Sequence, residues 1–253
     1  MARVCILAAG SILLGLVLFW PGSLSAGDPD ALWKIVHGKC VPSEAGGLGP
    51  GPCRLVDLAQ GYAVLKDSRG ATQFLLIPTA RITGIEDSQI LAPAAPNYWQ
   101  AAWQARQFVA ERAGRPVPRD DVGLAINSAQ GRSQDQLHIH VDCLRADVKQ
   151  ALAQEAARIG KSWSRLASPL AGHSYLAMRV EAPDLRGIDP FTLVAGQNPS
   201  TATDMSDQTI VVVGAEFEAG QPGFYILNDQ ANLAHGDTGS GEELLDHQCL
   251  VLK

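Results

Sequence analysis

Two histidines, His138 and His140, stand two residues apart where apolar and polar side chains alternate: Leu137, Ile139 and Val141 against Gln136, His138, His140 and Asp142. A β-strand sends alternate residues to opposite faces. The apolar three can therefore face a core while the four polar side chains share the other face. Two chemistries suit that face. In one, a neutral imidazole attacks phosphorus and forms a phospho-histidine, the second histidine assists, and donors from a nearby loop hold the phosphoryl oxygens. In the other, His138, His140 and Asp142 are a facial set of metal ligands. The plainer reading is an exposed polar strand face.

Further candidates surround the pair. Asn127 precedes a polar loop that carries Ser128, Gly131, Ser133 and Gln134, and its amide suits a phosphate or a ribose. Lys161 and Arg165 follow the expected end of a helix at Gly160; they could bind phosphate or simply complement the negative end of the helix dipole. His173, within Ala-Gly-His-Ser-Tyr at 171–175, could reach a phosphate or satisfy a turn. Asp246 and His247, close to Cys249, suit packing around a disulfide.

The pattern predicts the elements that must position these groups. Strands are expected over 54–58, 62–66, 73–77, 122–127, 136–144, 175–180, 209–214 and 223–228, with Asp67-Ser68-Arg69-Gly70 as a turn. A short helical pattern covers 30–37. Helical spacing over 97–113 puts Trp99, Trp103, Phe108 and Val109 on one stripe, which suits a core or, if exposed, a patch for acyl chains. A second helix is expected over 147–160, capped by Asp147. Strands and helices mix without strict alternation, so the class is α+β with an antiparallel sheet.

The chain has 253 residues, 46% of them apolar, and a formal charge of −6. This acidic balance, with no Lys/Arg-rich run, argues against a nucleic-acid partner. Arg3 precedes an uncharged stretch over 4–20, and Ser23 to Ala26 offer small residues for cleavage. Residues 1–26 thus read as a signal peptide or a membrane anchor, and 27–253 as the body across the membrane. Cys40, Cys53, Cys143 and Cys249 are an even set for an oxidising compartment. A local Cys40–Cys53 bridge across a Gly/Pro loop is expected first, which leaves Cys143–Cys249.

The stretch 125–143, AINSAQGRSQDQLHIHVDC, resembles the histidine-triad (HIT) motif of nucleotide hydrolases and transferases. With Trp33-Lys34-Ile35-Val36 before Cys40, the segment 97–108, Leu124 to Ser128, 171–175 and the tail GSGEELLDHQC, it resembles more narrowly the bacterial CDP-diacylglycerol pyrophosphatases. The resemblance implies a HIT-like α+β fold and hydrolysis of the pyrophosphate bond of CDP-diacylglycerol to CMP and phosphatidate. It also implies an enzyme held by a single N-terminal segment at the bacterial inner membrane, its catalytic domain facing the periplasm. No dedicated cofactor is expected, although a divalent cation could help neutralise the pyrophosphate. The alternatives are a metal- or nucleotide-binding envelope protein and a HIT hydrolase of soluble nucleotides. The family pattern His-φ-His-φ-His is broken here, and two registers fit. Either Gln136 replaces the first histidine and His138 is the nucleophile, or Asp142 replaces the third and His140 is. The first is preferred, because a carboxylate in the triad would repel the substrate and raise the histidine pKa. On that register Ser133, Gln134 and Gln136 join Asn127, Lys161 and His173 as the substrate-binding set.

Overall fold

A computed structural model describes residues 27–197 and 199–252, together with Met1. The expected N-terminal segment lies outside the described residues. Among the described residues no helix is long and apolar enough to cross a membrane.

Strands β1 (Leu55–Asp57), β2 (Tyr62–Lys66), β3 (Phe74–Pro78), β4 (Val122–Ile126), β5 (Ile139–Leu144), β6 (Ser164–Arg165), β7 (Leu176–Glu181), β8 (Gln208–Phe217), β9 (Gln221–Gln230) and β10 (Leu245–Asp246) form one sheet. The order is β1-β2-β3-β5-β4-β8-β9-β7-β6, with β10 on β5. Every pairing is antiparallel, in keeping with the class expected from the sequence.

The β-branched run of β8 and its partner β9 make a ten-residue hairpin arm. The β2–β3 turn is closed by the Asp67 carboxylate, which accepts from the Arg69 N–H at 3.0 Å, and by Gly70 at φ +65°. A Cβ on Gly70 would also lie 2.4 Å from that of His247.

One face of the sheet carries the largest core. The helix Tyr98–Ala113 starts where the Asn97 side chain accepts from the Gln100 N–H at 2.9 Å and stops at Gly114, which is left-handed. Its stripe buries Trp99, Trp103, Phe108 and Val109 against Phe74, Leu76, Ile139 and Val141, removing roughly 2–3 kcal/mol of apolar surface per large side chain from water. Both tryptophans are buried, so they form core and not an acyl-binding patch.

The other face has two separate clusters. Helical turns over 31–45 pack Leu32, Val36 and Cys40 onto Leu75 and Ile77. The helix Ala146–Glu155 packs Val148 and Leu152 with Val211, Val213 and Tyr225. Between them the sheet face at His140 forms the floor of a cleft.

Two boundaries differ from expectation. The helix at 146 has no side-chain cap, because Arg145 holds the N-cap position and Asp147 lies inside the first turn, paired with Arg145 at 2.6 Å; it ends at Glu155, short of Gly160. Strand β5 begins at Ile139 and not at 136. Before it, the Leu137 N–H donates to the Ile82 carbonyl, so the chain follows the loop beyond β3 instead of a ladder. The Pro190–Ala195 helix, capped by Asp189, was not anticipated.

Disulfides join Cys40 to Cys53 and Cys143 to Cys249, the pairing expected first.

Candidate active site

Val141 and Ile139 point into the large core, so His138 and His140 point to the opposite side, buried at the floor of the gap. Their rings meet edge to face with centroids 4.9 Å apart. Across β5, His140 is flanked by Leu75 of β3 and Ala125 of β4. The gap is a cleft of about 590 Å³ with four walls. The helical turns give Leu32, Ile35 and Lys39. The β2–β3 turn gives Lys66, Asp67 and Arg69. The loop after β4 gives Asn127, Gly131, Arg132, Ser133 and Gln134. The C-terminal turn gives Glu242.

The loop wall is built by Ser128. Its hydroxyl accepts from the N–H groups of Gln130 and Gly131, both at 3.1 Å, and donates to the Thr238 carbonyl at 2.6 Å. A Cβ on Gly131 would sit 2.6 Å from the Gly239 carbonyl oxygen, so only glycine lets loop and tail approach. Gln134 ties this wall to the helical turns: its amide accepts from the Leu32 N–H and donates to the Asp28 carbonyl. Asn127 accepts from the Glu242 N–H at 3.2 Å. Among the described residues, the Ser133 hydroxyl at the rim has no hydrogen-bond partner.

His138 Nδ1 lies 2.8 Å from the Gln136 carbonyl oxygen. A carbonyl can only accept, so Nδ1 carries the proton and the Nε2 lone pair is left for the cleft. Burial, then the neighbouring His140, lowers the His138 pKa to about 4; burial likewise lowers His140 to about 4. Both rings are neutral at pH 7. His140 Nδ1 is 3.1 Å from Glu242 Oε2, but the approach is out of line and neither ring nitrogen forms a hydrogen bond. A contact this bent is weak, because hydrogen bonds weaken steeply with misalignment.

The flanking triad candidates behave differently. Gln136 is fully buried behind the cleft, its amide donating to the carbonyls of Pro78 and Ala80 at 3.1 and 2.9 Å. Asp142 has both oxygens engaged: one accepts from Thr72 at 2.7 Å and from the Cys143 N–H, the other meets His247 Nδ1 at 3.0 Å. Burial pushes Asp142 upward, and the same hydrogen bond raises His247. His138, His140 and Asp142 do not bring three donor atoms together as a metal-binding group.

Cations rim the cleft. Lys39 is exposed at its edge. Arg69 is exposed and only loosely tied to Glu242, at 3.6 Å. Lys66 donates to the carbonyls of Asp67 and Gly70, and Arg132 is neutralised by Glu86 at 2.6 Å. None of Lys39, Lys66, Asp67, Arg69 and Glu242 was singled out from sequence. Their signal was the charged turn at 67–70 and the acidic tail, whose meeting depends on strand pairing.

Of the residues expected to act together, His138, His140, Asn127, Ser133 and Gln134 line this cleft, and Gln136 buttresses it. Lys161 lies outside it, paired with Glu181 at 2.9 Å. His173 also lies outside it, beside Asp237.

Neutral imidazoles facing a cation-rimmed cleft are the equipment of a hydrolase of phosphate linkages. The chain belongs to the CDP-diacylglycerol pyrophosphatase family, whose model matches residues 27–253. It is 42% identical over 247 residues to a CDP-diacylglycerol pyrophosphatase of Yersinia pestis, covering 98% of this chain and 91% of that protein.

Proposed function

We propose that the chain hydrolyses the pyrophosphate bond of CDP-diacylglycerol to CMP and phosphatidate, with His138 as nucleophile. The observation that carries the reading is the 2.8 Å contact of His138 Nδ1 with the Gln136 carbonyl, in a chain of this family. It leaves Nε2 to attack one phosphorus while the P–O bond to the bridging oxygen breaks. The positive charge that develops on the ring is met by the same carbonyl. The bridging oxygen departs as a phosphate anion, and neutral His140, whose nitrogens have no hydrogen-bond partner, takes a proton from the incoming water as general base. That water attacks the phospho-histidine and restores the free imidazole. Lys39, Arg69 and the Ser133 hydroxyl offset the phosphoryl charge, and Asn127 holds phosphate or ribose.

The first register is favoured over the second because Asp142 is committed to Thr72 and His247. The same commitment weakens the metal-ligand reading of this strand. The antiparallel sheet with its histidine strand supports a HIT-like fold. Two disulfides support an oxidising compartment, and with the N-terminal apolar stretch they fit a periplasm-facing enzyme at the inner membrane. There it would meet its lipid substrate by diffusion in two dimensions.

The test incubates the full chain in detergent with CDP-diacylglycerol or with a soluble dinucleotide and measures the mononucleotide released. CMP from the lipid alone supports the reading. Release from the dinucleotide alone points to a soluble-nucleotide hydrolase, and release from neither overturns hydrolysis.

A further inference from the structure

A second group of titratable side chains lies away from the histidine pair. His173 Nδ1 is 2.9 Å from Asp237 Oδ2, and its Nε2 is 3.6 Å from Glu243 Oε1. One donor atom each from His173, Asp229 and Asp237 falls within 4.8 Å of the others. Leu176 pairs with Asn228 across β7 and β9, so the next position outward sets Tyr175 beside Asp229. Both are buried, and both keep an unsatisfied polar atom: Asp229 Oδ2 and the Tyr175 hydroxyl have no hydrogen-bond partner. The carboxylates acting on that hydroxyl are Asp229, Glu243 and Asp237. Buried polar atoms are rarely left unpaired, because each costs about 1–3 kcal/mol. Two at one cluster call for a missing partner.

We propose that His173 Nδ1, Asp229 and Asp237 bind one divalent cation of the Mn²⁺ or Zn²⁺ type, with Glu243 as the positioning residue behind His173. A dication balances two carboxylates that otherwise repel across a buried gap. One imidazole with two carboxylates suits borderline cations better than the all-oxygen preference of Ca²⁺ or Mg²⁺. A ligating histidine usually gives its other ring N–H to a carboxylate, and Glu243 stands on that side. The site also reaches the cleft. Asp237 Oδ1 accepts from the Gly239 N–H at 2.8 Å, and the Gly239 carbonyl accepts from the Ser128 N–H at 2.9 Å. A bound ion would thus fix the strap over 237–243 that carries Glu242 against His140. The competing occupant is a proton shared by Asp229 and Asp237, favoured by burial, which with Asp237 raises Asp229 to about 7.

The test uses the full chain in detergent, stripped with a chelator and titrated calorimetrically with MnCl₂ and, separately, ZnCl₂. Expected is one equivalent of at least one metal, bound at least tenfold more weakly by His173→Gln and Asp237→Asn and severalfold more weakly by Glu243→Gln. The thermal midpoint of the wild type should rise with metal, and that of His173→Gln should not. Because Asp237 also holds the strap, His173→Gln, at a partly exposed position, is the variant that decides if Asp237→Asn misfolds. No saturable binding of either metal, or affinity unchanged in His173→Gln, overturns the proposal and leaves the shared proton.

Discussion

His138 Nδ1 stands 2.8 Å from the carbonyl oxygen of Gln136, two residues earlier in the chain. The His138 ring is thereby oriented by backbone and not by a neighbouring side chain. His138→Ala should lower turnover at least about 10³-fold, and rapid quenching with labelled substrate should trap a phospho-enzyme whose label maps to His138. Label on His140 would instead select the second register. Gln136→Ala keeps the carbonyl and should retain far more activity than His138→Ala.

The same burial sets the pH response. Both histidines titrate at about 4 in the fold against 6.5 when free. The attacking form is therefore present from neutral pH down to about 5, and the acid limb of kcat/KM should fall with a midpoint near 4. A midpoint near 6.5 would mean that the rings are solvated. Stability carries the opposite demand. Above pH 6.5 both folded and unfolded rings are neutral. As pH falls from 6.5 toward 4, the unfolded chain takes protons that the fold refuses, so stability drops by on the order of 3 kcal/mol for each ring. His247, raised by Asp142, offsets part of this. Urea melts from pH 7 to 4 would read the net slope.

At the rim, Arg69 is exposed and only loosely paired, so its charge is available to an anionic substrate. Arg69→Ala should raise KM about three- to tenfold with little change in kcat, and the difference should shrink as salt is added. An equal loss in kcat would place Arg69 in the transition state.

Gly131 and the tail backbone are too close for a side chain. Gly131→Ala should cost about 1–3 kcal/mol and also reduce turnover, because the Ser128-built loop must move away from Gly239. Unchanged melting and activity would show that the wall is pliable.

The Cys143–Cys249 bridge closes a separation of 106 residues. Replacing both cysteines with serine should lower stability by about 4–5 kcal/mol on loop-entropy grounds. The Cys40–Cys53 bridge, with a separation of 13, should matter less. Denaturant midpoints of the two double variants would rank them.

The histidine strand was legible because its alternation is local: Leu137, Ile139 and Val141 declare the core, and the face opposite follows. The Tyr98–Ala113 helix was legible for the same reason, as was β2. What local pattern does not reveal is which turns meet over that face. Asp67 and Arg69 read as ordinary turn residues, and Glu242 as tail. They come together only because β3 pairs with β5 and β10 returns to β5. Lys161 shows the converse: it follows a helix in sequence, but its position beside Glu181 takes it away from the cleft. Proximity along the chain was a poor guide where an antiparallel sheet decides proximity in space.

The wall carrying Glu242 and the cysteine that clamps it belong to the end of the chain, whereas His138 and His140 are translated about a hundred residues earlier. During synthesis the histidine pair is therefore made well before residue 242 of its pocket. A nascent or prematurely terminated chain that lacks 237–249 would carry both histidines on an open sheet face, without Glu242 and without the clasp at Cys143. The cleft is thus complete only once the segment over 237–249 has folded back onto β5.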